Sequence, residues 1–150
     1  MSNDIYLCGA CECKTVEQAN EWREKCEKWF SKKSDSMSVF NPNSHYNYAS
    51  PVPTQKEIFR YELHILEKSK VVLVNLEDIR RSVGSITEIA TAYNDRIPII
   101  GFLSKKSIQT EQQLINYMHP WINEMCDKVF YGTDQAMIQA MEYINRNYYY

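Results

Sequence analysis

The 150 residues of this chain suffice for one ordinary domain, whose folding would bury about two-thirds of the surface that the unfolded chain exposes. A hydrophobic fraction of 44%, a charged fraction of 24% and a formal net charge of −2 give no strong field for nucleic acid or anionic lipid. No apolar run approaches the roughly 18 residues of a membrane span, and no secretion signal begins the chain. We therefore expect a single domain over residues 1–150, in the cytoplasm, with neither nucleic acid nor membrane as a partner.

The first predicted strand, residues 4–8, ends in a turn that reads CGACEC over residues 8–13. In a reducing compartment, the five cysteines are not expected to form a disulfide framework. A structural zinc needs four Cys or His ligands in spaced pairs, and a redox pair normally opens a helix, so metal and redox sites are minority alternatives. We interpret Gly9 and Ala10 as small residues that let the backbone approach a ligand, without a metal.

A first amphipathic helix follows this turn, because residues 15–18 form a capping box and apolar side chains then recur at helical spacing. A short strand candidate covers residues 38–40. The polar and aromatic stretch 43–53 opposes regular structure, and loops of this length often cover a ligand site. Its side chains either contact a base or belong to a solvated loop. The residues considered for this contact are Asn41, Asn43, His45, Tyr46 and Tyr48.

A second capping box at residues 54–57 opens a helix that leads into the apolar, β-branched run 71–74. Such a run is typical of a strand buried on both faces, and residues 97–102 form another. We predict a helix from about Ser85 to Tyr93 between these two strands.

The remaining elements are a helix that begins at the capping box of residues 110–113, a short strand at 128–131 and a terminal helix near 137–144. Strand and helix thus alternate five times. This order predicts a three-layer, doubly wound α/β domain of flavodoxin-like or Rossmann-like type, with a five-stranded parallel sheet between two helical layers. In such sheets, ligands bind beyond the carboxyl ends of the strands.

The segment before the helix at residues 85–93 combines features of an anion site. Gly84 removes a side chain where the helix begins, Ser82 and Ser85 supply hydroxyls, and the free N–H groups of a first turn favour an anion, so a phosphate or a sugar hydroxyl would fit there. Glu88 would then lie on the ligand side. The alternative is structural, because Ser85 and Glu88 also have the spacing of a capping box.

A second acid, Glu62, stands on the apolar stripe of the preceding helix, which should face the sheet. It either belongs to a site or lies at the margin of the stripe and reaches water. Its helix runs into the strand that precedes Glu88, so both acids can approach the end of the first strand, where Tyr6 lies. Two carboxyl groups with separated pKa values can cleave a glycosidic bond, one by attack and one by proton donation.

Three fragments in this order resemble the nucleoside 2-deoxyribosyltransferase family. They are IYLCGA at residues 5–10, Glu62 ahead of SKVVLVNL at residues 69–76, and SVGSITEIATAYNDRIPIIGF at residues 82–102. The resemblance covers residues 5–102, and the stretch 105–150 carries no motif that aligns with the family.

The resemblance implies cleavage of the bond between a base and C1′ of a deoxyribose, in a nucleoside or its 5′-monophosphate. Glu88 would be the nucleophile, Tyr6 would hold its carboxylate, and Glu62 falls where the family keeps an Asp as general acid or orienting group. Another base or water would complete the reaction, and no cofactor is needed. Family members assemble so that one subunit helps complete its neighbour's site, which implies a homo-oligomer. The residues considered for that part are Gln112, Gln113 and Asn116.

Two departures from the family pattern affect the expected substrate and activity. The transferases usually carry an Asp two residues before the Gly, where this chain has Ser82. The related deoxynucleoside 5′-monophosphate N-hydrolases have Ser there, which fits a 5′-phosphate because a hydroxyl can donate to it and a carboxylate would repel it. Glu62 is one methylene longer than the family's Asp, and a displacement of about 1 Å can cost on the order of 100-fold in rate.

Two other function classes remain open from the sequence. One is a catalytically silent nucleotide-binding or signalling module that keeps the pocket without a competent proton donor. The other is an NAD-cleaving relative of the TIR type, which shares the α/β layout and also relies on a Glu. A phosphoacceptor receiver is poorly supported, because the first strand ends in Cys8-Gly9-Ala10 and not in an acidic pair that would hold magnesium.

Overall fold

A computed structural model describes residues 4–33, 37–45 and 54–148 of the protein. The strands are β1 (Ile5–Gly9), β2 (Val39–Phe40), β3 (Val71–Asn75), β4 (Ile99–Leu103) and β5 (Lys128–Tyr131). All neighbouring strands are parallel, and their order is β2-β1-β3-β4-β5. The predicted α/β class with a five-stranded parallel sheet is therefore confirmed.

Helices cover both faces of this sheet. They are α1 (Val16–Ser31), α2 (Pro42–His45), α3 (Gln55–Glu67), α4 (Val83–Asn94), α5 (Glu111–Met118), α6 (Pro120–Met125) and α7 (Ala136–Asn147), with a 3₁₀ turn at Ile79–Arg81. Apolar side chains of α1 and α7 pack on one face, and those of α3, α4, α5 and α6 pack on the other. Within the three described ranges, no helix is long and apolar enough to cross a membrane.

The central strands are apolar on both faces because both faces are covered. Along β1, Ile5 and Leu7 point into the cluster formed with α1 and α7. Tyr6 and Cys8 point into the opposite cluster, which contains residues of α3 and α4. This alternation follows from the two-residue period of a strand, and it places the Tyr6 side chain on the side of α4.

The three predicted capping boxes are confirmed at the starts of α1, α3 and α5. Thr15, Thr54 and Thr110 each accept a hydrogen bond from the backbone N–H three residues on, and the side chain of that third residue bonds back to the cap. These reciprocal bonds use backbone donors that a helix start otherwise leaves unpaired.

Two short helices were not predicted. Helix α2 lies partly within the stretch expected to be irregular, and it begins at Pro42, whose preset φ and missing N–H suit a first helical position. Helix α6 follows α5 after one residue, His119, whose φ of 99° breaks the chain direction before Pro120. The rest of the predicted loop, residues 46–53, falls outside the described residues.

Gly9 provides the first test of this packing. A Cβ added at Gly9 would lie 2.7 Å from Cζ2 of the buried Trp22 ring, so Gly9→Ala should destabilise the protein by about 1–3 kcal/mol. Gly84→Ala is the matched control, because nothing lies within 4 Å of its added Cβ. In the helix, this second change should be neutral or stabilising by roughly 0.5–1 kcal/mol. Urea unfolding followed by circular dichroism measures both, and equal stability of the two variants would contradict this account.

Candidate active site

A cavity of about 390 Å³ opens beyond the carboxyl end of β1. Its wall is formed by the turn after β1 together with residues of α1, α2, α3 and the first half of α4. The cavity lies beside the point where the strand order reverses between β1 and β3, which is where doubly wound sheets bind ligands. Its volume falls within the usual range for small-molecule sites, roughly 300–1,000 Å³.

Helix α4 begins earlier than the sequence suggested, and this changes the interpretation of Glu88. Ser82 is the N-cap, and its hydroxyl accepts a hydrogen bond of 3.3 Å from the backbone N–H of Ser85. Glu88 therefore lies in the second turn of the helix and not in a capping box with Ser85. The structural alternative for Glu88 is wrong, and its carboxyl group is available to the cavity that it lines.

Tyr6 holds the carboxyl group of Glu88. The Tyr6 side chain is fully buried, and its hydroxyl donates a hydrogen bond to Oε2 of Glu88. Burial and the nearby Glu88 and Glu62 charges keep the pKa of Tyr6 far above its ordinary value, so the hydroxyl remains a donor. The sheet thus supplies a fixed donor for a carboxylate carried by a helix.

Glu88 is enclosed by protein and keeps partial access to solvent through the cavity. Burial raises the pKa of Glu88 to about 7, and the charge of Glu62 acts in the same direction. Hydrogen bonds from Tyr6 and Cys8 oppose this rise by favouring the anion. A carboxyl group with this pKa is close to half ionised at neutral pH, so it can take part in chemistry as an anion that is weakly solvated.

Glu62 lies on α3 and lines the same cavity. Burial raises its pKa above the ordinary value, while the charge of Arg23 acts in the opposite direction. Glu62 therefore keeps its proton to a higher pH than a free glutamate does. Since the two carboxyl groups share a cavity and the charge of Glu62 raises the pKa of Glu88, the protonated form of one favours the ionised form of the other.

The start of α4 supplies the polar part of the wall. Ser82 and Ser85 are 3% and 2% exposed, and the hydroxyl of Ser82 donates a hydrogen bond of 2.7 Å to that of Ser85. Both line the cavity together with Gly84, which is exposed. The positive end of the helix dipole and the N–H groups of its first turn make this part of the wall suitable for an anion.

Two further predicted site residues, Asn41 and Ala10, do not lie where the sequence suggested. Asn41 is buried, and its amide nitrogen donates to Asn20 Oδ1 at 3.0 Å and to Glu27 Oε1 at 2.7 Å, so it fastens the end of β2 to α1. Ala10 is buried beside Gly9 without lining the cavity, whereas Gly9 does line it. The side chain of His45, like all of Tyr46 and Tyr48, lies outside the described part of the chain.

Sequence reasoning missed Arg23, which lines the cavity although it is only 2% exposed. Its Nη2 donates to the carbonyl oxygen of Gly9 at 2.9 Å, and its Nη1 donates to that of Ala19. A signal for it was present, because Arg23 lies four residues after Ala19 and three before Cys26, on the apolar stripe of α1.

The turn after β1 is fastened to two neighbouring segments. The ammonium of Lys14 lies 2.7 Å from Glu77 and 3.1 Å from Asp78, both in the segment after β3. The thiol of Cys11 is 3.6 Å from the side-chain oxygen of Asn43 in α2. The five cysteines are free, and no three Cys, His, Asp or Glu side chains of the described ranges come together as metal ligands would.

Comparison with known proteins shows a family and a fold to which this chain is similar. The family model described as nucleoside 2-deoxyribosyltransferase like matches residues 2–105, which contain every predicted catalytic residue. No curated protein matches the sequence. A crystal structure of a conserved protein from Enterococcus faecalis V583 has the same fold, with a TM-score of 0.67 and 13% identity. The alignment covers 95% of this chain and 99% of that protein.

The raised pKa of Glu88 has a consequence for stability with a definite sign. Between the ordinary pKa of 4.5 and the folded value of about 7, the native state binds more protons than the unfolded state, so stability falls as pH rises through this window. Glu88→Gln removes the effect. The free energy of unfolding of Glu88→Gln, relative to that of the native protein, should be roughly 1–3 kcal/mol higher at pH 8 than at pH 5. The partial access of Glu88 to solvent reduces the size of this effect.

Urea unfolding at pH 5 and pH 8 measures this difference. Glu67→Gln, at an exposed position of α3, is the matched control and should show no such gain. If the free energy of unfolding differs between Glu88→Gln and the native protein by the same amount at both pH values, the raised pKa of Glu88 is contradicted.

Proposed function

The chain belongs to the nucleoside 2-deoxyribosyltransferase-like family, and we propose that it cleaves the N-glycosidic bond of a 2′-deoxynucleoside or its 5′-monophosphate. The observation that carries this proposal is the Glu88 carboxyl group, held by the Tyr6 hydroxyl in a cavity that it shares with Glu62. These three residues are the catalytic residues of the proposal.

The proposed reaction begins with attack of a Glu88 carboxylate oxygen on C1′ of the deoxyribose. The bond between C1′ and the base nitrogen breaks, its electrons stay with the base, and Glu62 supplies the proton that the departing base needs. The product of this step is a deoxyribosyl ester of Glu88. Water or a second base then attacks C1′, the ester bond to Glu88 breaks, and Glu62, now a carboxylate, takes up the proton that the water or base loses, which gives hydrolysis or transfer.

The groups around the two acids support these separate roles. Burial raises the pKa of both acids, to about 7 for Glu88, and at Glu88 the hydrogen bonds of Tyr6 and Cys8 oppose that rise and favour the ionised form that attacks. At Glu62 the opposing influence is the charge of Arg23, and the protonated form that burial favours can serve as the general acid.

The start of α4 supports a 5′-monophosphate as the preferred substrate. Ser82, Gly84 and Ser85 line the cavity at the positive end of this helix, and Gly84 leaves open space where a larger residue would have a side chain. A phosphate there would meet hydroxyl and N–H donors without a carboxylate at position 82.

The wider proposal includes one domain over residues 1–150, which is supported by the single sheet that holds all described strands. It needs no cofactor, and its partners are the small-molecule substrate and further copies of the chain in a homo-oligomer, with neither nucleic acid nor membrane. We place this activity in the cytoplasm.

Chromatographic detection of free base tests the activity. A panel of deoxynucleosides and their 5′-monophosphates is incubated with the native protein, with and without an acceptor base. Base release should fall by at least about 1,000-fold in Glu88→Ala and in the isosteric Glu88→Gln, because the nucleophile is lost. Glu67→Ala, on the exposed side of α3, should keep full activity.

Equal release by Glu88→Ala and the native protein would exclude Glu88 as nucleophile. Tight binding of a nucleotide without any release of base would favour the silent binding module.

Ser82→Asp tests the preference for a phosphate. The added carboxylate should repel a 5′-phosphate, so kcat/KM for the monophosphate relative to the nucleoside should fall on the order of ten-fold or more. Ser82→Asn is the neutral control, and both Asp and Asn can replace Ser as the cap of α4. An unchanged ratio in steady-state kinetics with Ser82→Asp would place the 5′ group away from this residue.

A further inference from the structure

Arg23 is a buried cation that forms no ion pair with a carboxylate of the described residues. None of the ion pairs formed within residues 4–33, 37–45 and 54–148 includes it. Its two terminal nitrogens donate to backbone carbonyls, and its buried Nε meets no acceptor in the part of the chain that the structure describes. Since an unpaired buried charge is strongly destabilising, its presence at the wall of a cavity indicates a task connected with that cavity.

Arg23 lines the same cavity as the carboxyl groups of Glu62 and Glu88, and its charge acts on both. Its charge lowers the pKa values of Glu62 and Glu88, against the effect of burial on both. Among the described residues, Arg23 is the charge that opposes the effect of burial on Glu62. A single guanidinium therefore favours the ionised form of each acid without forming a close ion pair with either.

The other titratable groups around this wall cannot replace that charge. On β1, Tyr6 and Cys8 have raised pKa values and stay neutral. In the turn, Lys14 is paired with Glu77 and Asp78, and Glu12 is exposed. Arg23 is thus the buried positive charge on the side of the cavity formed by α1.

We propose that Arg23 is a positioning residue that acts as the shared counter-charge of Glu62 and Glu88. This inference rests on the proposed function. As the proton of Glu62 passes to the base nitrogen and the bond to C1′ breaks, Glu62 becomes a carboxylate inside the cavity, and the guanidinium stabilises that anion. Before the step, the same charge favours the ionised Glu88 that attacks C1′.

The fixed position of the guanidinium suits this task. The Gly9 and Ala19 carbonyls hold its two ends, and its carbon lies 4.7 Å from the centre of the Trp22 ring. A charge that is already oriented needs no rearrangement when a new anion forms, which is how preorganised groups stabilise transition states. Arginine also keeps its proton at every pH of interest, so its charge is constant.

The test that needs no substrate is a carboxyl titration. The ¹³C resonances of labelled glutamates are followed against pH in the native protein, Arg23→Met, Arg23→Gln and Arg23→Lys, and they are assigned with Glu62→Gln and Glu88→Gln. The Glu62 and Glu88 midpoints should move to higher pH in the Met and Gln variants and return toward the native values in Arg23→Lys. Lys25→Met, which removes an exposed cation from the same helix, should leave both midpoints unchanged.

The amide spectra of the Met and Gln variants are compared with that of the native protein, which guards against loss of folding. Unchanged midpoints in a neutral variant with a native amide spectrum would overturn the proposal.

The second test uses base release. Arg23→Met should lower kcat at least about ten-fold, and its whole pH–rate profile should move to higher pH, with partial rescue in Arg23→Lys. A lowered kcat with an unmoved profile would indicate a merely structural role and overturn the proposal. A native protein that releases no base would defeat the proposed function instead, while the titration would still decide whether Arg23 is the counter-charge.

Discussion

The hydrogen bond between the Tyr6 hydroxyl and the Glu88 carboxyl group is the contact on which the site depends. It joins a fully buried residue of β1 to a helix that covers the sheet, and β1 is itself paired with β2 and β3. The carboxyl group therefore takes its position from the most constrained part of the molecule. Because the hydroxyl keeps its proton, it can support the anion that burial alone would disfavour.

The unfavourable features of the molecule are concentrated at one edge of the sheet. Two carboxyl groups with raised pKa values line a single cavity there, together with a guanidinium whose Nε has no acceptor among the described residues. The rest of the sheet is packed with apolar side chains on both faces. In many proteins, groups that reduce stability are found at the functional site, and a core without such groups compensates for their cost.

Much of the fold could be predicted because its signals are local. The buried strands are continuous β-branched runs, and three helices begin at capping boxes that need only four residues each. The start of α4 was misplaced because Ser82 and Ser85 are both acceptable caps, and the choice between them depends on contacts with the rest of the fold. The two short helices are single turns or little more, which leave no periodic pattern.

The site was predictable where a residue's chemistry conflicted with its position. Glu62 on an apolar stripe was such a conflict, and Arg23 on the stripe of α1 was another that went unnoticed among nearby lysines. Asn41 could not be assigned in this way, because its partners Asn20 and Glu27 lie on α1 and are brought to it only by folding.

The close contact between Gly9 and Trp22 also bears on how such a site changes over evolutionary time. The Trp22 ring lies where a side chain at position 9 would go, and it also packs against Phe102 and beneath the Arg23 guanidinium. A larger residue at position 9 demands a smaller one at position 22, which in turn removes the ring face beside Arg23. Across homologous sequences, positions 9, 22 and 23 should therefore covary, because a substitution at one of them favours substitutions at the others.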